Sequence, residues 1–261
     1  MRTEEIFKEL ERMNEGLDSL LDAQLEKGLS NTTPKQLFTT FALAKSRRTH
    51  AAITLLCKNG FGEDAFMLSR TLFELLVIFL YILADATDKR LTRYMEYDHV
   101  TRKKLYDHIA TRPELLNDER ATPEVFQEIQ NAYDGVKDNY EKPFRWSDKS
   151  IAEMAKEVGR EEDYKTAYKI QCMLSHSESR SINEYFKEDS DGSLVIDIGA
   201  KTNLIEESLV KSFDFFFSIF ETADKVFAFG LEKEFEKVSK EYIDLLSIGK
   251  KEGKKPSPEK C

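Results

Sequence analysis

The chain has 261 residues, of which 41% are hydrophobic and 33% are charged, with only 11 glycines and 6 prolines. This composition is typical of long helices with charged outer faces. The formal net charge of -9 argues against a protein that binds nucleic acid or an anionic membrane through its overall charge, so only local basic patches remain for that purpose. The three widely spaced cysteines predict reduced thiols in a cytoplasm rather than a disulfide framework.

The first two predicted helices are amphipathic. Between residues 4 and 27, apolar residues recur every three or four positions, which predicts a one-faced surface helix. A second helix is predicted from about Pro34 to Lys58, because proline suits the first turn of a helix. Its middle contains a basic cluster formed by Lys45, Arg47 and Arg48. Most such clusters are solvated faces, but this one lies on the helix that a glycine turn folds back against the next.

The next helix is the most apolar stretch of the chain, Ala65 to Ala84. It is apolar on nearly every side, so we expect a helix at about 62-85 that is surrounded by other helices. The part without charges, Leu75 to Ala84, is far shorter than the roughly 20 residues of a membrane span. The sequence therefore predicts a soluble protein with no membrane partner.

Two charges interrupt this apolar helix. Arg70 and Glu74 stand four residues apart and share one face, and neither can stay ionised in a dry core without a partner. We expect them to form an ion pair. The pair is either a structural element of the core or part of a polar pocket, and the spacing alone leaves both interpretations open.

The rest of the chain is predicted to be helical, with one β-hairpin formed by Ile182 to Phe186 and Leu194 to Ile198. The predicted helices are Asp88 to Ile109, Pro123 to Tyr140, a short helix capped by Ser147 or Ser150 that ends at Glu157, Glu161 to Ser175, Asn203 to Phe229 and 231-247. The fold class is therefore all-α, a multi-helix bundle around the central apolar helix. Residues 1-248 are predicted to form a single domain, and 249-261 have the composition of a disordered tail.

His176 is the histidine that we single out for function. It follows Tyr168 and Cys172 at intervals of four residues, so the three share one face near a helix end. A histidine at that place serves either as a general acid or base, because its ordinary pKa lies near neutral pH, or as a cap of the helix C-terminus. Both alternatives remain open.

The motifs of several common enzyme classes are absent from the sequence. It contains no nucleotide-binding glycine loop, zinc-ligand spacing, nucleophile elbow or HExxH. One ExxH occurs at Glu96 to His99, but a di-iron site needs that motif on two helices, so we reject such a centre and expect no metal and no cofactor. Two arginines each precede a histidine by six residues, Arg93 before His99 and Arg102 before His108, and we interpret both pairs as solvated.

Three short motifs together resemble the bacterial domain-of-unknown-function family fifty-six seventy-seven. They are Arg70 to Glu74 after the glycine turn, the Trp146 to Ser150 segment, and Tyr168 to His176. The resemblance extends from about residue 37 to 225, with Asp148 in place of the usual glycine and Cys172 where serine is common. It implies a helical bacterial cytoplasmic protein and singles out Arg70, Glu74, Tyr168 and His176, but it implies no reaction. A relation to HEPN-type helical domains, many of them RNA-cleaving toxins or phage-defence effectors, is an analogy.

These observations lead to two hypotheses. In the first, the protein cleaves RNA or hydrolyses another substrate. His176 then acts as acid or base, Arg70 stabilises anionic charge, Glu74 orients Arg70 and Tyr168 assists, while the basic cluster holds an RNA or nucleotide ligand. In the second, the protein is a non-catalytic binding module, and the apolar stripes of the terminal helices either form a homodimer or are buried in a monomer.

Overall fold

The computed structural model describes residues 2-29, 32-112, 114, 122-140, 145-176, 178-179, 182, 185-189, 191-196, 199-200 and 202-252. These residues form the all-α fold that the sequence predicts, with one small hairpin. The longer helices are α1 (Arg2–Glu26), α2 (Pro34–Lys58), α3 (Gly62–Leu83), α4 (Lys89–Ala110) and α5 (Pro123–Asp134). They are followed by α6 (Ile151–Glu157), α7 (Glu161–Asp163), α8 (Lys169–Ser175), α9 (Ile205–Phe227) and α10 (Glu232–Glu252).

Two of the predicted helices are divided in the structure. The helix predicted from Pro123 to Tyr140 ends at Asp134, and a 3₁₀ turn occupies Lys137–Asn139. The helix predicted over Glu161 to Ser175 contains a π-helical turn, Tyr164–Tyr168, between α7 and α8. Apolar periodicity did not reveal this turn, because the π-helical segment spans only five residues of an otherwise helical stretch.

The hairpin is present, but its strands are shorter than predicted. Strand β1 (Phe186–Glu188) pairs antiparallel with β2 (Leu194–Ile196), so β1 begins at Phe186, where the predicted strand ends. Residues 197-198 of the predicted second strand lie outside the described part of the chain. At the C-terminus α10 continues to Glu252, while 253-261 of the predicted tail also lie outside it.

The chain divides into two compact units, one formed by residues 1-80 and 160-261 and the other by 81-159. The prediction of a single domain stays a prediction. In the first unit, α3 contributes fully buried side chains such as Phe73, whose ring centroid lies 5.4 Å from that of Phe215 on α9. Phe79 of α3 meets Phe38 of α2 at 5.8 Å. This part of α3 therefore packs against both α2 and α9, as expected of a helix apolar on nearly all sides.

The apolar stripe of α1 is buried within the first unit. Five of its members are at most 5% exposed, namely Ile6, Leu10, Met13, Leu17 and Leu21, whereas Leu25 is 42% exposed. Leu231, just before α10, and Phe235 and Leu245 on α10 are buried as well, although Ile243 is 58% exposed. Most of these apolar residues are thus buried within one chain, and the homodimer stays a prediction.

In the second unit, side chains of α4 hold the segment around Trp146 in place. The Trp146 ring lies edge-on to Tyr94 with 5.1 Å between centroids, and its carbonyl accepts a hydrogen bond from Arg93 Nε at 2.8 Å. Arg93 also binds both carboxylate oxygens of Asp148, at 2.7 and 3.0 Å. Our interpretation of Arg93 as a solvated residue is therefore wrong, because its guanidinium anchors the loop that precedes α6.

Helix α3 is long and apolar enough to cross a membrane by length and composition, and 56% of its most apolar window is buried inside the protein. This burial is consistent with the predicted soluble protein, since a core helix has the same composition as a membrane span.

Gly62 allows the backbone before α9 to approach the first turn of α3. A Cβ atom at this position would lie 1.9 Å from the Asn203 carbonyl oxygen and 2.9 Å from the Ile205 nitrogen. Both neighbours are backbone atoms, which cannot rotate away as a flexible side chain would. The hydroxyl of Ser208 donates to the Gly62 carbonyl at 3.1 Å, which further fixes the contact.

We therefore expect Gly62→Ala to lower the free energy of unfolding by about 2 to 3 kcal/mol. Gly16 provides the matched control, because it lies on the exposed side of α1 with no atom within 4 Å of the position that a methyl group would occupy. Gly16→Ala should raise stability by about 0.5 to 1 kcal/mol, the usual difference between the two residues in a helix. Urea unfolding curves measure both values, and equal effects of the two substitutions would contradict this account.

His50 is a buried histidine in α2. Its side chain is 5% exposed and its ring stacks on Phe216 of α9 with 5.4 Å between centroids. Neither ring nitrogen makes a well-oriented hydrogen bond within the described residues. Burial lowers the pKa of His50 to about 4, and the nearby backbone of Ser212 acts in the opposite direction. The ring is therefore neutral at physiological pH.

This burial makes stability depend on pH. Above the ordinary pKa of 6.5, His50 is neutral in both the folded and the unfolded chain. Between pH 6.5 and about 4, the unfolded chain binds a proton that the folded core does not accept, so stability falls as pH falls. Relative to His50→Phe, the wild-type protein should lose about 1.4 kcal/mol per pH unit across this range. Urea unfolding at a series of pH values tests this, and parallel pH profiles would contradict it.

Candidate functional site

The candidate site begins with the ion pair on α3. Arg70 Nε donates to Glu74 Oε1 at 3.0 Å, so the ion pair expected from the spacing is present. The two side chains are 24% and 33% exposed, respectively. The pair is thus neither sealed in the core nor freely solvated, and one edge of it is accessible to a solute.

The π-helical turn and α8 bring two further residues to this pair. The Tyr168 hydroxyl donates to Glu74 Oε1 at 2.7 Å, and the Arg70 guanidinium lies 5.4 Å from the centre of the Tyr168 ring. Glu74 Oε1 therefore accepts hydrogen bonds from both Arg70 and Tyr168. A π-turn within a helix is a frequent feature of functional sites, and this one ends at the residue that contacts Glu74.

His176 completes the cluster from the end of α8. Its backbone N–H donates to the Cys172 carbonyl at 3.0 Å, which places the residue at the helix C-terminus. Its ring Nε2 lies 3.3 Å from Arg70 Nη1. Arginine nitrogens only donate, so this contact is a hydrogen bond when Nε2 is the acceptor, which puts the proton of the neutral ring on Nδ1. His176 therefore lies at the helix end and also beside Arg70, and both roles that the sequence left open, helix cap and acid or base, stay predictions.

The electrostatics hold Arg70 in its charged form. Burial opposes the charge, but Tyr168 and Glu74 more than compensate, so the pKa of Arg70 is raised. Burial and the hydrogen bond to Glu74 raise the pKa of Tyr168. The cluster accordingly consists of the Arg70 guanidinium, which contacts Glu74 and Tyr168 on one side and the exposed ring of His176 on the other. We name Arg70, Glu74, Tyr168 and His176 the polar cluster.

A buried hydrogen bond fixes α8 against α3 beside the polar cluster. Gln171 Nε2 donates to Ser69 Oγ at 2.6 Å, and both side chains are completely buried. Phe66 packs with Ala167 and Leu174 in a small apolar group next to them. The sequence analysis missed Gln171, although a glutamine on the inner face of a short helix is a sign of a buried polar contact.

The other end of the same segment is held by an ion network on α9. Arg160 Nη1 lies 3.0 Å from Asp214 Oδ2 and 3.2 Å from Asp163 Oδ2, and Lys211 Nζ lies 2.6 Å from Asp163 Oδ1. Burial raises the pKa of Asp214, and the positive charge of Arg160 counteracts part of this shift. An aspartate within a run of phenylalanines was the sequence signal for this network, which was also missed.

The basic cluster is oriented differently from our expectation. Arg47 binds Asp22 at 2.6 Å and Asp18 at 2.8 Å, both on α1, so its charge is compensated there. Lys45 and Arg48 are exposed to solvent. Arg47 is nine residues from Phe38, the residue that contacts α3, and nine residues at 3.6 per turn correspond to opposite faces of a helix. Arg47 therefore points away from α3, and a role of the three residues in substrate binding stays a prediction.

Among the described residues, no group of three or more His, Cys, Asp or Glu side chains is arranged to hold a metal ion. The expectation that the protein uses no metal and no cofactor stays a prediction.

The structure thus defines an all-α protein with a partly exposed polar cluster between its central helix and α8. The chain belongs to a family of unknown function, DUF5677, whose model matches residues 36–193. This range includes the whole polar cluster. No curated protein and no solved structure matches the chain.

The hydrogen bond from Tyr168 to Glu74 can be tested by removing one oxygen atom. Tyr168→Phe leaves the ring in place but removes a donor to a carboxylate, so the free energy of unfolding should fall by about 1 to 2 kcal/mol. Tyr164 stacks on Tyr168 one turn earlier, at 5.1 Å, and Tyr164→Phe is the matched control with an expected change within about 0.5 kcal/mol. Thermal or urea unfolding measures both, and a neutral Tyr168→Phe would show that this hydrogen bond contributes no stability.

Proposed function

We propose that the protein cleaves RNA at the polar cluster without a metal ion. The observation that carries this proposal is the contact between Arg70 Nη1 and His176 Nε2 at an accessible edge of the protein. When His176 Nε2 is unprotonated, this nitrogen and the Arg70 guanidinium 3.3 Å away supply the base and the anion-binding group that RNA cleavage requires. The family match covers both residues but names no reaction.

The reaction follows from these two groups. A phosphodiester that binds at the cluster competes for the Arg70 guanidinium, which releases the lone pair of His176 Nε2. This nitrogen then takes the proton from the ribose 2′-hydroxyl, whose oxygen attacks phosphorus. The bond from phosphorus to the 5′-oxygen breaks, and that oxygen takes a proton from water. The products are a 2′,3′-cyclic phosphate and a 5′-hydroxyl, and the imidazolium returns its proton to solvent.

The other two members of the polar cluster act through Arg70. Glu74 fixes the guanidinium by its Nε, which leaves the opposite edge for phosphate oxygens. Tyr168 donates to the same carboxylate oxygen and is 8% exposed, so it positions Glu74 rather than contacting substrate. Lys45 and Arg48 are the exposed basic residues to which we assign weak binding of the RNA backbone. We place this activity in a bacterial cytoplasmic effector of the toxin or phage-defence type.

Cleavage of a labelled RNA oligonucleotide in the presence of EDTA tests the proposal. His176→Ala and Arg70→Ala should each lower the cleavage rate by roughly 100-fold or more, since one removes the base and the other the stabilisation of the transition state. His108→Ala is the matched control, because this histidine is also exposed and lies outside the polar cluster. It should leave the rate unchanged.

A DNA oligonucleotide of the same sequence should not be cleaved, because it lacks the 2′-hydroxyl. The proposal is wrong if wild-type protein does not cleave RNA, or if both variants cleave it at the wild-type rate.

A second candidate function is a non-catalytic binding module, and the hairpin favours it. Leu194, Val195 and Ile196 are 68%, 45% and 59% exposed although successive strand residues face opposite sides, so neither face of β2 is covered. Exposed apolar strands are typical of surfaces that pair with a partner. Val195→Asp should then abolish self-association in light-scattering measurements without lowering the free energy of unfolding; a wild-type protein that is monomeric at all concentrations contradicts the homodimer.

A further inference from the structure

A cleft of about 410 Å³ lies between α1 and α2, away from the polar cluster. We name it the α1–α2 cleft; it is lined by Glu11, Asn14, Asp18, Arg47, His50 and Lys58, among others. Its volume falls within the range of small-molecule sites. Ion pairs bridge the two helices across it, from Lys58 to Glu11 and from Arg47 to Asp18.

Among the described residues that line this cleft, Asp18 Oδ1 is paired with Arg47, whereas two other buried polar groups lack well-oriented hydrogen-bond partners. His50 is 5% exposed, and neither of its ring nitrogens has a well-oriented partner within the described residues. The Oδ1 atom of Asn14, which lines the cleft from α1, is likewise buried and unpaired among those residues. Buried polar groups without partners destabilise a protein, so such groups are rare unless a ligand or water pairs with them. Here two of them, from different helices, border the same cavity.

The charges in the α1–α2 cleft favour a cation over an anion. Arg47 and Lys58 are both occupied by carboxylates, so neither guanidinium nor ammonium is left to attract an anion. Glu15 also lines the cleft, which gives three carboxylates, with Glu11 and Asp18, against two cations. Asn14 Oδ1 and the unprotonated nitrogen of His50 are acceptors, which require a donor from the ligand.

We propose that the α1–α2 cleft binds a small organic cation with an ammonium group. The ammonium donates to Asn14 Oδ1 and to the unprotonated ring nitrogen of His50, while Glu15 balances its charge. A hydroxyl on the same molecule accepts from the ring N–H of His50 in place of the Ser212 backbone, which lies near the ring. An amino alcohol of two or three carbons supplies both groups and is small enough for the cavity. This site is independent of the proposed RNA cleavage.

Ethanolamine is the probe for this proposal, with two matched control compounds. Ethylene glycol has the same size without the charge, and tetramethylammonium has the charge without an N–H donor. In titrations followed by NMR of ¹⁵N-labelled full-length protein, ethanolamine should shift amide signals of α1 and α2 saturably. Neither control compound should do so at the same concentration.

Three variants test whether these residues form the site. His50→Phe and Asn14→Leu should each weaken ethanolamine binding at least tenfold, because each removes an acceptor. Asn14→Asp should tighten binding severalfold, because it adds a negative charge, and this gain is a readout that misfolding cannot produce. Ser19→Ala, on the exposed side of α1, should change nothing. The proposal is overturned if wild-type protein shows no saturable shifts, if ethylene glycol or tetramethylammonium binds as well as ethanolamine, or if His50→Phe and Asn14→Leu bind ethanolamine with the wild-type affinity.

Discussion

The fold depends on burying α3, a helix that is apolar on nearly every side yet contains Arg70 and Glu74. The apolar part requires neighbours on several faces, and α2 and α9 supply them through Phe38 and Phe215. The charged pair requires the opposite, a place where a guanidinium and a carboxylate keep hydrogen bonds and some contact with water. The two needs are reconciled by the segment that contains α8, which packs Leu174 against Phe66 of α3 and brings the polar side chains of Tyr168 and His176 to the pair.

The segment from Arg160 to His176 is therefore the part of the structure that converts an ion pair into a candidate site. Ion pairs to α9 hold its beginning, and the buried hydrogen bond between Gln171 and Ser69 holds α8 against α3. With both ends fixed, Tyr168 reaches Glu74 and His176 reaches Arg70. An ion pair with a purely structural role would need only the contact between Tyr168 and Glu74. The exposed histidine beside the guanidinium adds nothing that the core requires, which is the reason to assign it a function.

Much of the fold follows from the sequence, because apolar periodicity and capping residues define the bounds of α2 and α6 almost to the residue. The i, i+4 spacing predicted the Arg70–Glu74 pair and placed Tyr168 and His176 on one face, and the resemblance to a family grouped all four residues. The π-turn, the Gln171–Ser69 hydrogen bond and the anchoring of Trp146 by Arg93 were missed, since each depends on tertiary neighbours that local pattern does not specify. The direction of Arg47 was also missed, because a basic cluster gives no indication of which carboxylates lie nearby.

The central claim is that the Arg70 guanidinium donates to the lone pair of His176 Nε2, and that a phosphate can replace this nitrogen as the acceptor. ¹⁵N NMR of the histidine side chains at about pH 8, where unpaired histidines are neutral, tests it most directly. The account predicts that the His176 proton resides on Nδ1, and that a non-cleavable 2′-deoxy dinucleotide shifts the Nε2 signal but leaves that of His108 unchanged. A proton on Nε2, or a His176 signal that the dinucleotide does not affect, would contradict the account.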